Sequence, residues 1–208
     1  DTGRGIQTYR ATQALYQAWQ LKKITGDTVA PKVLEIGAGS GRTAYYAWRL
    51  GIRDYTIVDL PLTCVASANF LGRTLGPEHL KLYGEDGAGS ISIVPPETFF
   101  KSRERFDVAL NVDSLTEMAR ETAEAYFDEI DERSYVFLSI NHEWNLFRVR
   151  DLFTGRRHAR HACMMRAGYA EEVVETLRGR ARYTGLGGAW RGLLRAMRGR
   201  TARTRTER

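Results

Sequence analysis

The sequence predicts an α/β protein, a three-layer α/β/α domain with a mostly parallel central sheet. Short apolar segments alternate along the chain with segments whose apolar residues recur at helical spacing. The apolar segments are nearly continuous, which is typical of strands that are covered on both faces. The chain has 208 residues, 43% of them hydrophobic, and this length suits one domain with an appendage.

The N-terminal part of the chain alternates helix and strand. In order, we predict a helix over 8–24, a strand over 32–36, a helix over 42–50, a strand over 54–59 and a helix over 61–74. Pro61 suits the first turn of the last helix, because its fixed φ is already helical and its missing N–H is not needed there.

The same alternation continues after a less regular stretch. A weak strand is predicted over 80–83, and residues 84–101, rich in Gly, Ser and Pro, are predicted as a loop with one short helix. The remaining predictions are a strand over 106–112, a helix over 115–131, a strand over 134–140, an extended loop over 149–163 and further strands over 169–177 and 181–184. We expect one domain over 1–184, opening with a helical segment over 1–30, and a tail over 185–208.

The tail carries the positive charge of the protein. Residues 178–208 hold ten Arg and one Glu, whereas the rest of the chain is slightly acidic. Trp190, Leu193, Leu194 and Met197 fall at helical spacing among the arginines, which predicts a basic amphipathic helix. Such a helix suits a membrane surface, an acidic partner, its own domain or a second subunit of a homo-oligomer. No nucleic-acid partner is expected, because the arginines of the tail are not interleaved with several aromatic residues.

Several protein classes are excluded by simple patterns. No apolar run of about 18 residues is present, so no transmembrane helix is expected. Cys64 and Cys163 are far apart and lack the spacing of a disulfide framework or a zinc site. This use of cysteine makes a cytoplasmic protein the expectation. The first residues also lack the pattern of a secretory signal, and we suspect a trimmed terminus.

A glycine-rich turn follows the first predicted strand. Gly37, Gly39 and Gly41 allow the backbone to turn sharply and approach a ligand, and the next helix offers its free N–H groups. Asp59 ends the second strand, where a carboxylate can accept hydrogen bonds from ribose hydroxyls. Arg42 stands where a dinucleotide-binding fingerprint has its third glycine. In the alternative interpretation, the glycines only serve packing and Asp59 caps the next helix.

The pattern Glu-x-Gly-x-Gly-x-Gly over 35–41, together with Asp59, resembles the first motif and the ribose-binding acid of class I S-adenosylmethionine-dependent methyltransferases. The resemblance implies a Rossmann-like fold, S-adenosylmethionine as cofactor and S-adenosylhomocysteine as product. It places the methionine part at the glycine turn and the ribose and adenine near Asp59. The implied cofactor-binding residues are Glu35, Gly37, Ala38, Gly39, Gly41, Asp59, Leu60, Asp86 and Asn111.

Two methyltransferase classes are disfavoured by what the sequence lacks. Enzymes that methylate exocyclic amines carry an Asn/Asp-Pro-Pro-aromatic turn after the fourth strand, where residues 111–114 read Asn-Val-Asp-Ser. Enzymes that methylate pyrimidine carbon use a cysteine at the same sheet edge, and neither cysteine lies near it.

Segments 55–61, 106–118 and 138–145, with Tyr126-Phe127, resemble a bacterial family of sugar O-methyltransferases. The resemblance implies transfer of a methyl group to a hydroxyl of a sugar or oligosaccharide, as in polysaccharide or glycoside biosynthesis. The implied acceptor-binding residues are Ser114, Glu117, Tyr126, Asn141 and Trp144. Two alternatives are an O-methyltransferase acting on a small molecule that is not a sugar, and a non-catalytic module that binds S-adenosylmethionine or RNA.

Methylation of a hydroxyl requires a group that removes its proton. His142, just past the predicted strand over 134–140, is the favoured base, with Asp113 and Glu143 as further catalytic candidates. In the alternative interpretation, His142 only hydrogen-bonds the backbone. Ser114 and Glu117 also match a helix capping box. Asp113, Glu117 and Glu143 together could hold magnesium, which is not favoured because no paired-aspartate motif is present.

Overall fold

The computed structural model describes residues 8–153, 159–166, 169–176 and 178, which form one eight-stranded sheet with helices on both faces. The strands are β1 Lys32–Ile36, β2 Asp54–Val58, β3 Leu80–Leu82, β4 Ile91–Val94, β5 Phe106–Val112, β6 Ser134–His142, β7 Ala159–Arg166 and β8 Tyr169–Glu175. The helices are α1 Tyr9–Thr25, α2 Arg42–Arg49, α3 Pro61–Leu75, α4 Pro96–Lys101, α5 Arg120–Arg133 and α6 Val149–Phe153.

The strand order is β3-β4-β2-β1-β5-β6-β8-β7. Neighbouring strands from β3 to β6 are parallel, and β8 is antiparallel to both β6 and β7. The chain order reverses direction at β1, which lies between β2 and β5. Ile36 at the end of β1 pairs with Val58 and with Asn111. In an open α/β sheet, ligands bind in the crevice outside such a reversal, at the carboxyl ends of the strands.

Each strand divides its side chains between two apolar layers. Val33 and Leu138 face α1, α2 and α3, whereas Leu34 and Phe137, one position along, face α4, α5 and α6. All four side chains are buried. The predicted three-layer α/β/α architecture with a mostly parallel sheet is therefore confirmed.

Most predicted elements are confirmed, and three need correction. The predicted loop over 84–101 contains β4, whose four residues are too short to give a clear pattern between Gly-rich and Pro-rich segments. The predicted helix over 115–131 is broken into a 3₁₀ turn, Ser114–Glu117, and α5. The predicted loop over 149–163 contains α6 and the start of β7.

The position of β4 affects one predicted cofactor contact. The strand next to β2 is β4 and not β3, so the chain leaves the sheet edge beside Asp59 at Pro95 and Pro96. Asp86 instead lies in the exposed loop between the two strands. The predicted strand over 181–184 and the predicted basic helix in 185–208 lie outside the described residues. None of the described helices is long and apolar enough to cross a membrane.

Candidate functional site

The turn after β1 requires glycine. Gly37, Gly39 and Gly41 have φ values of 76°, 59° and 78°, in the left-handed region that side chains disfavour. A Cβ at Gly37 would also overlap the side chain of Ser114. The turn therefore brings the backbone close to the segment after β5, and Gly41 opens α2.

Asp59 follows β2 and bonds to this turn. Its carboxylate accepts the Gly39 N–H at 2.9 Å and the Leu60 N–H at 2.8 Å. The N-cap residue of α3 is Leu60. The carboxylate therefore joins the glycine turn to the start of α3, and it lies at the mouth of the crevice predicted for a cofactor.

Two cavities adjoin the glycine turn. The first, which we call the apolar cavity, has a volume of about 520 Å³ and lies on the α4/α5 side of the sheet. The second, the polar cavity, has about 470 Å³ and lies on the α1 side. Gly37, Gly39, Ser114 and Glu117 line both of them. A ligand that passes over the glycine turn would therefore occupy both cavities.

The apolar cavity is walled by aromatic and aliphatic side chains around Asp59. Its larger members are Ile36, Val58, Leu60, Phe100, Met118 and Tyr126. Tyr126 packs against Phe100 with ring centroids 4.8 Å apart, and burial raises the pKa of its phenol to about 12. Tyr126 was predicted to contact the acceptor, but it lies in this cavity with the predicted ribose-binding acid.

Glu35 supplies a buried acid to the polar cavity. Its side chain is 2% exposed and accepts the Tyr55 hydroxyl at 2.8 Å. Burial raises the pKa of Glu35 to about 7. Within the described part of the chain, no Lys or Arg forms an ion pair with this carboxylate. A cationic ligand group in the cavity would therefore stabilise its charged form.

The far wall of the polar cavity is a cluster around Asp113, His142 and Tyr169. Asp113 Oδ1 accepts the His142 backbone N–H at 3.1 Å, and Oδ2 accepts the Tyr169 hydroxyl at 3.2 Å. The His142 and Tyr169 rings meet edge to face at 4.7 Å. His142 Nδ1 accepts the Trp144 backbone N–H at 3.1 Å. Three groups that can exchange protons or hydrogen bonds thus share one wall.

Two predicted site residues lie beneath the cavities instead of lining them. Asn111 is fully buried, and its amide donates to the Ile36 carbonyl at 2.9 Å and to Ser114 Oγ. Asn141 is 4% exposed and donates to Ser139 Oγ at 2.9 Å. Neither residue lines a cavity, so Asn111 as a cofactor contact and Asn141 as an acceptor contact stay predictions; Asn141 Oδ1 has no hydrogen-bond partner among the described residues.

Two further predicted residues turn away from the polar cavity. Glu143 follows the last residue of β6 and does not belong to the lining of the polar cavity. Glu143 forms an ion pair with Arg150 instead. Trp144 is 73% exposed, and its ring contacts His142 outside the cavity lining.

Ser114 does not form the predicted capping box. Its hydroxyl donates to the Ile36 carbonyl at 3.0 Å and holds the start of the 3₁₀ turn to β1. Glu117 is exposed at the boundary of the two cavities. Among the described residues, no group of three or more His, Cys, Asp or Glu side chains could hold a metal ion. The alternative magnesium set of Asp113, Glu117 and Glu143 is therefore not brought together as such a group.

The sequence did not predict that α1 and β8 line the polar cavity. Four residues of α1, namely Arg10, Gln13, Ala14 and Gln17, line the polar cavity, as does Tyr169 of β8. Gln17 Oε1 accepts the Thr43 hydroxyl at 2.6 Å, which fixes this helix to α2. Polar residues at positions 10, 13 and 17 share one helical face, and this spacing was the available signal.

No protein-family model matches the chain, and no curated protein matches it by sequence. Solved structures match its fold. The PH0226 protein of Pyrococcus horikoshii OT3 has a TM-score of 0.62 at 10% identity, covering 82% of this chain and 92% of that protein. Magnesium protoporphyrin IX methyltransferase of Synechocystis PCC 6803, solved with bound S-adenosylmethionine, has a TM-score of 0.54 at 12% identity and covers 84% and 86%.

A third match is the mitomycin 7-O-methyltransferase MmcR. Its TM-score is 0.58 at 14% identity, and the match covers 79% of this chain and 54% of that enzyme. Identities this low establish similarity of fold. The chain therefore has the Rossmann-like fold of class I S-adenosylmethionine-dependent methyltransferases.

Proposed function

We propose that the protein binds S-adenosylmethionine across the glycine turn and transfers its methyl group to a hydroxyl of a sugar or oligosaccharide. The observation that carries the proposal is the pair of cavities that meet at Gly37 and Gly39, with Asp59 at one and Glu35 at the other. The fold shared with two named methyltransferases supports the same activity.

The apolar cavity suits the adenosine part of this molecule. Phe100, Met118 and Tyr126 offer flat apolar surface to a purine ring. Asp59 uses one lone pair on each oxygen for a backbone N–H, so a second lone pair on each stays available to ribose hydroxyls. Residues of this chain would therefore hold the base by packing and the ribose by hydrogen bonds.

The polar cavity suits the methionine part. An ammonium group is the partner that the buried Glu35 carboxylate lacks among the described residues. Arg10 and Arg42 line the same cavity and can pair with a carboxylate. When bound, S-adenosylmethionine supplies an electrophilic methyl group on a sulfonium centre.

The remaining lining of the polar cavity suits an acceptor with several hydroxyls. Asp113, His142, Asn145 and Tyr169 present hydrogen-bonding groups, with Val112 as an apolar member beside them. A sugar offers many hydroxyls to such a wall, and a polar wall discriminates strongly against ligands that leave it unpaired. This is the reason for preferring a carbohydrate over an apolar acceptor.

Calorimetric titration with S-adenosylhomocysteine tests the cofactor site. Asp59→Ala removes the group assigned to the ribose, so its Kd should rise at least about tenfold, as expected when hydrogen bonds to a charged group are lost. Asp27→Ala, at an exposed position after α1, serves as the control and should bind like the unmodified protein. Equal affinity of both variants would contradict the assignment.

Transfer of an isotopically labelled methyl group to a panel of acceptors tests the substrate class. Mono- and oligosaccharides are compared with phenols, and the products are identified by mass spectrometry. Labelled sugar supports the proposal. A labelled phenol without labelled sugar favours a small-molecule O-methyltransferase, and tight cofactor binding without any labelled acceptor favours a binding module.

A further inference from the structure

Two arginine side chains, those of Arg10 and Arg42, line the polar cavity without a partner in the described part of the chain. Neither guanidinium forms a hydrogen bond or an ion pair with another described residue. Each lies in the first turn of its helix, α1 or α2, and neither first turn contains an acidic residue. Because the positive end of a helix dipole disfavours a cation, the stability of the helices does not account for the two arginines.

The two arginines lie at different depths of the cavity. Arg42 directly follows Gly41 and is therefore beside the glycine turn. Gln17 of α1 is at the same level, because it bonds to Thr43 of α2 at 2.6 Å. Arg10 precedes Gln17 by seven residues, which places it about 10 Å further along the helix axis. Arg10 is exposed, so it lies at the entrance of the cavity.

The face of α1 between these two levels carries uncharged amide groups. Gln13 and Gln17 line the cavity together with Arg10. Gln17 is 6% exposed, and its Nε2 group has no hydrogen-bond partner among the described residues. The helix contains no Asp or Glu, so no side chain of α1 can neutralise Arg10. A ligand that lies along this face therefore meets amide groups deep in the cavity and a guanidinium at the entrance.

The cofactor accounts for one of the two arginines. The methionine part of S-adenosylmethionine carries a single carboxylate, and its proposed position is at the glycine turn, beside Arg42. The guanidinium of Arg10, at the entrance, would still lack a partner when the cofactor is bound. A second anionic group is therefore needed, and the acceptor is the ligand that can supply it.

We infer that the acceptor is an acidic sugar and that Arg10 pairs with its anionic group, a carboxylate or a phosphate. The inference rests on the proposed function and names the substrate class of the same site. The planar guanidinium of arginine can donate two parallel hydrogen bonds to either anionic group. The hydroxyls of the same sugar can bond to the amides of Gln13 and Gln17.

Matched pairs of acceptors test the charge of the acceptor. Glucuronate is compared with glucose, galacturonate with galactose, and glucose 6-phosphate with glucose, in the labelled-methyl assay at one pH and one ionic strength. We expect kcat/KM to be at least about tenfold higher for the acidic member, as a hydrogen-bonded ion pair allows. A preference for the uronates identifies a carboxylate, and a preference for the sugar phosphate identifies a phosphate. Equal kcat/KM for acidic and neutral sugars overturns the inference and leaves the proposed function intact.

Substitutions of the two arginines separate their roles. Arg10→Gln should raise the KM for the acidic sugar at least about tenfold and remove the preference over the neutral sugar, and Arg10→Lys should restore part of it. In calorimetry, the Kd for S-adenosylhomocysteine should change less than about threefold in Arg10→Gln and rise about tenfold in Arg42→Gln. Arg49→Gln, at the exposed end of α2, is the matched control.

The calorimetric titration needs no acceptor and gives a result independent of turnover. An equal rise of the Kd in Arg10→Gln and Arg42→Gln would show that both arginines hold the methionine carboxylate, which overturns the inference. Failure of every sugar, acidic or neutral, to be methylated while S-adenosylhomocysteine still binds counts instead against the proposed function, and the inference is then refuted with it.

Discussion

The buried acid of the polar cavity should make the stability of the protein depend on pH in a defined direction. Burial raises the pKa of Glu35 from 4.5 to about 7. The substitution Glu35→Gln keeps the size of the side chain and an oxygen that can accept the Tyr55 hydroxyl. The variant therefore removes the titration and leaves the packing in place.

The size of this pH effect on the free energy of unfolding follows from the difference in proton binding between the folded and unfolded states. Between these two pKa values the unfolded chain has lost the Glu35 proton while the folded protein retains it, so the unfolded state binds fewer protons and stability falls as pH rises. The stabilisation is fully present below pH 4.5 and is lost by about pH 7. One pKa unit corresponds to about 1.4 kcal/mol, which gives a loss of about 2.5 kcal/mol between about pH 5 and pH 8.

Urea unfolding followed by tryptophan fluorescence at four pH values from 5 to 8 measures this effect. The quantity compared is the unfolding free energy of the unmodified protein minus that of Glu35→Gln, because other titrating groups cancel in the difference. Glu132→Gln, at an exposed position of α5, should give a flat difference. A difference for Glu35→Gln that varies by less than about 0.5 kcal/mol over this range would refute the argument.

Three further outcomes are expected. The affinity for S-adenosylhomocysteine should rise about tenfold from pH 6 to pH 8, because Glu35 must ionise to pair with an ammonium group; a pH-independent Kd in calorimetry would count against this pairing. Gly37→Ala should lower the melting temperature and abolish this binding, since its Cβ would overlap Ser114, whereas Gly87→Ala, with open space around it, should do neither. Arg133→Met should lower the free energy of unfolding in urea by about 3 kcal/mol, because the buried guanidinium donates to the Phe99 and Glu104 carbonyls. Arg120→Met breaks an exposed ion pair with Glu124 and should lower it by less than about 0.5 kcal/mol. Equal losses in the two variants would contradict the reasoning.

The placement of the glycine turn and Asp59 at one sheet edge could be predicted from the sequence, because its determinants are local. The glycine turn belongs to one strand-turn-helix unit, and Asp59 ends the very next strand. Parallel neighbours place such residues at one sheet edge without any knowledge of distant pairing. The strand over 32–36 and the strand over 106–112 were predicted with the bounds of β1 and β5 for the same reason.

The cluster around Asp113, His142 and Tyr169 depends on long-range pairing, which the sequence alone did not predict. Tyr169 and Asp113 are 56 positions apart in the chain, and they form a hydrogen bond because β8 pairs antiparallel with β6. Glu143 forms an ion pair with Arg150 of α6. β4 was missed because four residues, Ile91–Val94, give too short a pattern. In each case tertiary contacts determine the structure, and the local conformational preference of the sequence does not.

The two cavities share the glycine turn and differ in their other walls. The glycine turn and Asp59, which adjoin the apolar cavity, lie between residues 37 and 59, whereas α1 and β8 supply one wall of the polar cavity. α1 is also tied to β8 through the Tyr16 hydroxyl and the Gln20 amide, which both donate to Glu171. These two elements therefore form one connected unit in the wall of the polar cavity, and they can be replaced together. A chimera that imports α1 and β8 from another protein of this fold would keep the glycine turn and Asp59 and replace this part of the polar cavity.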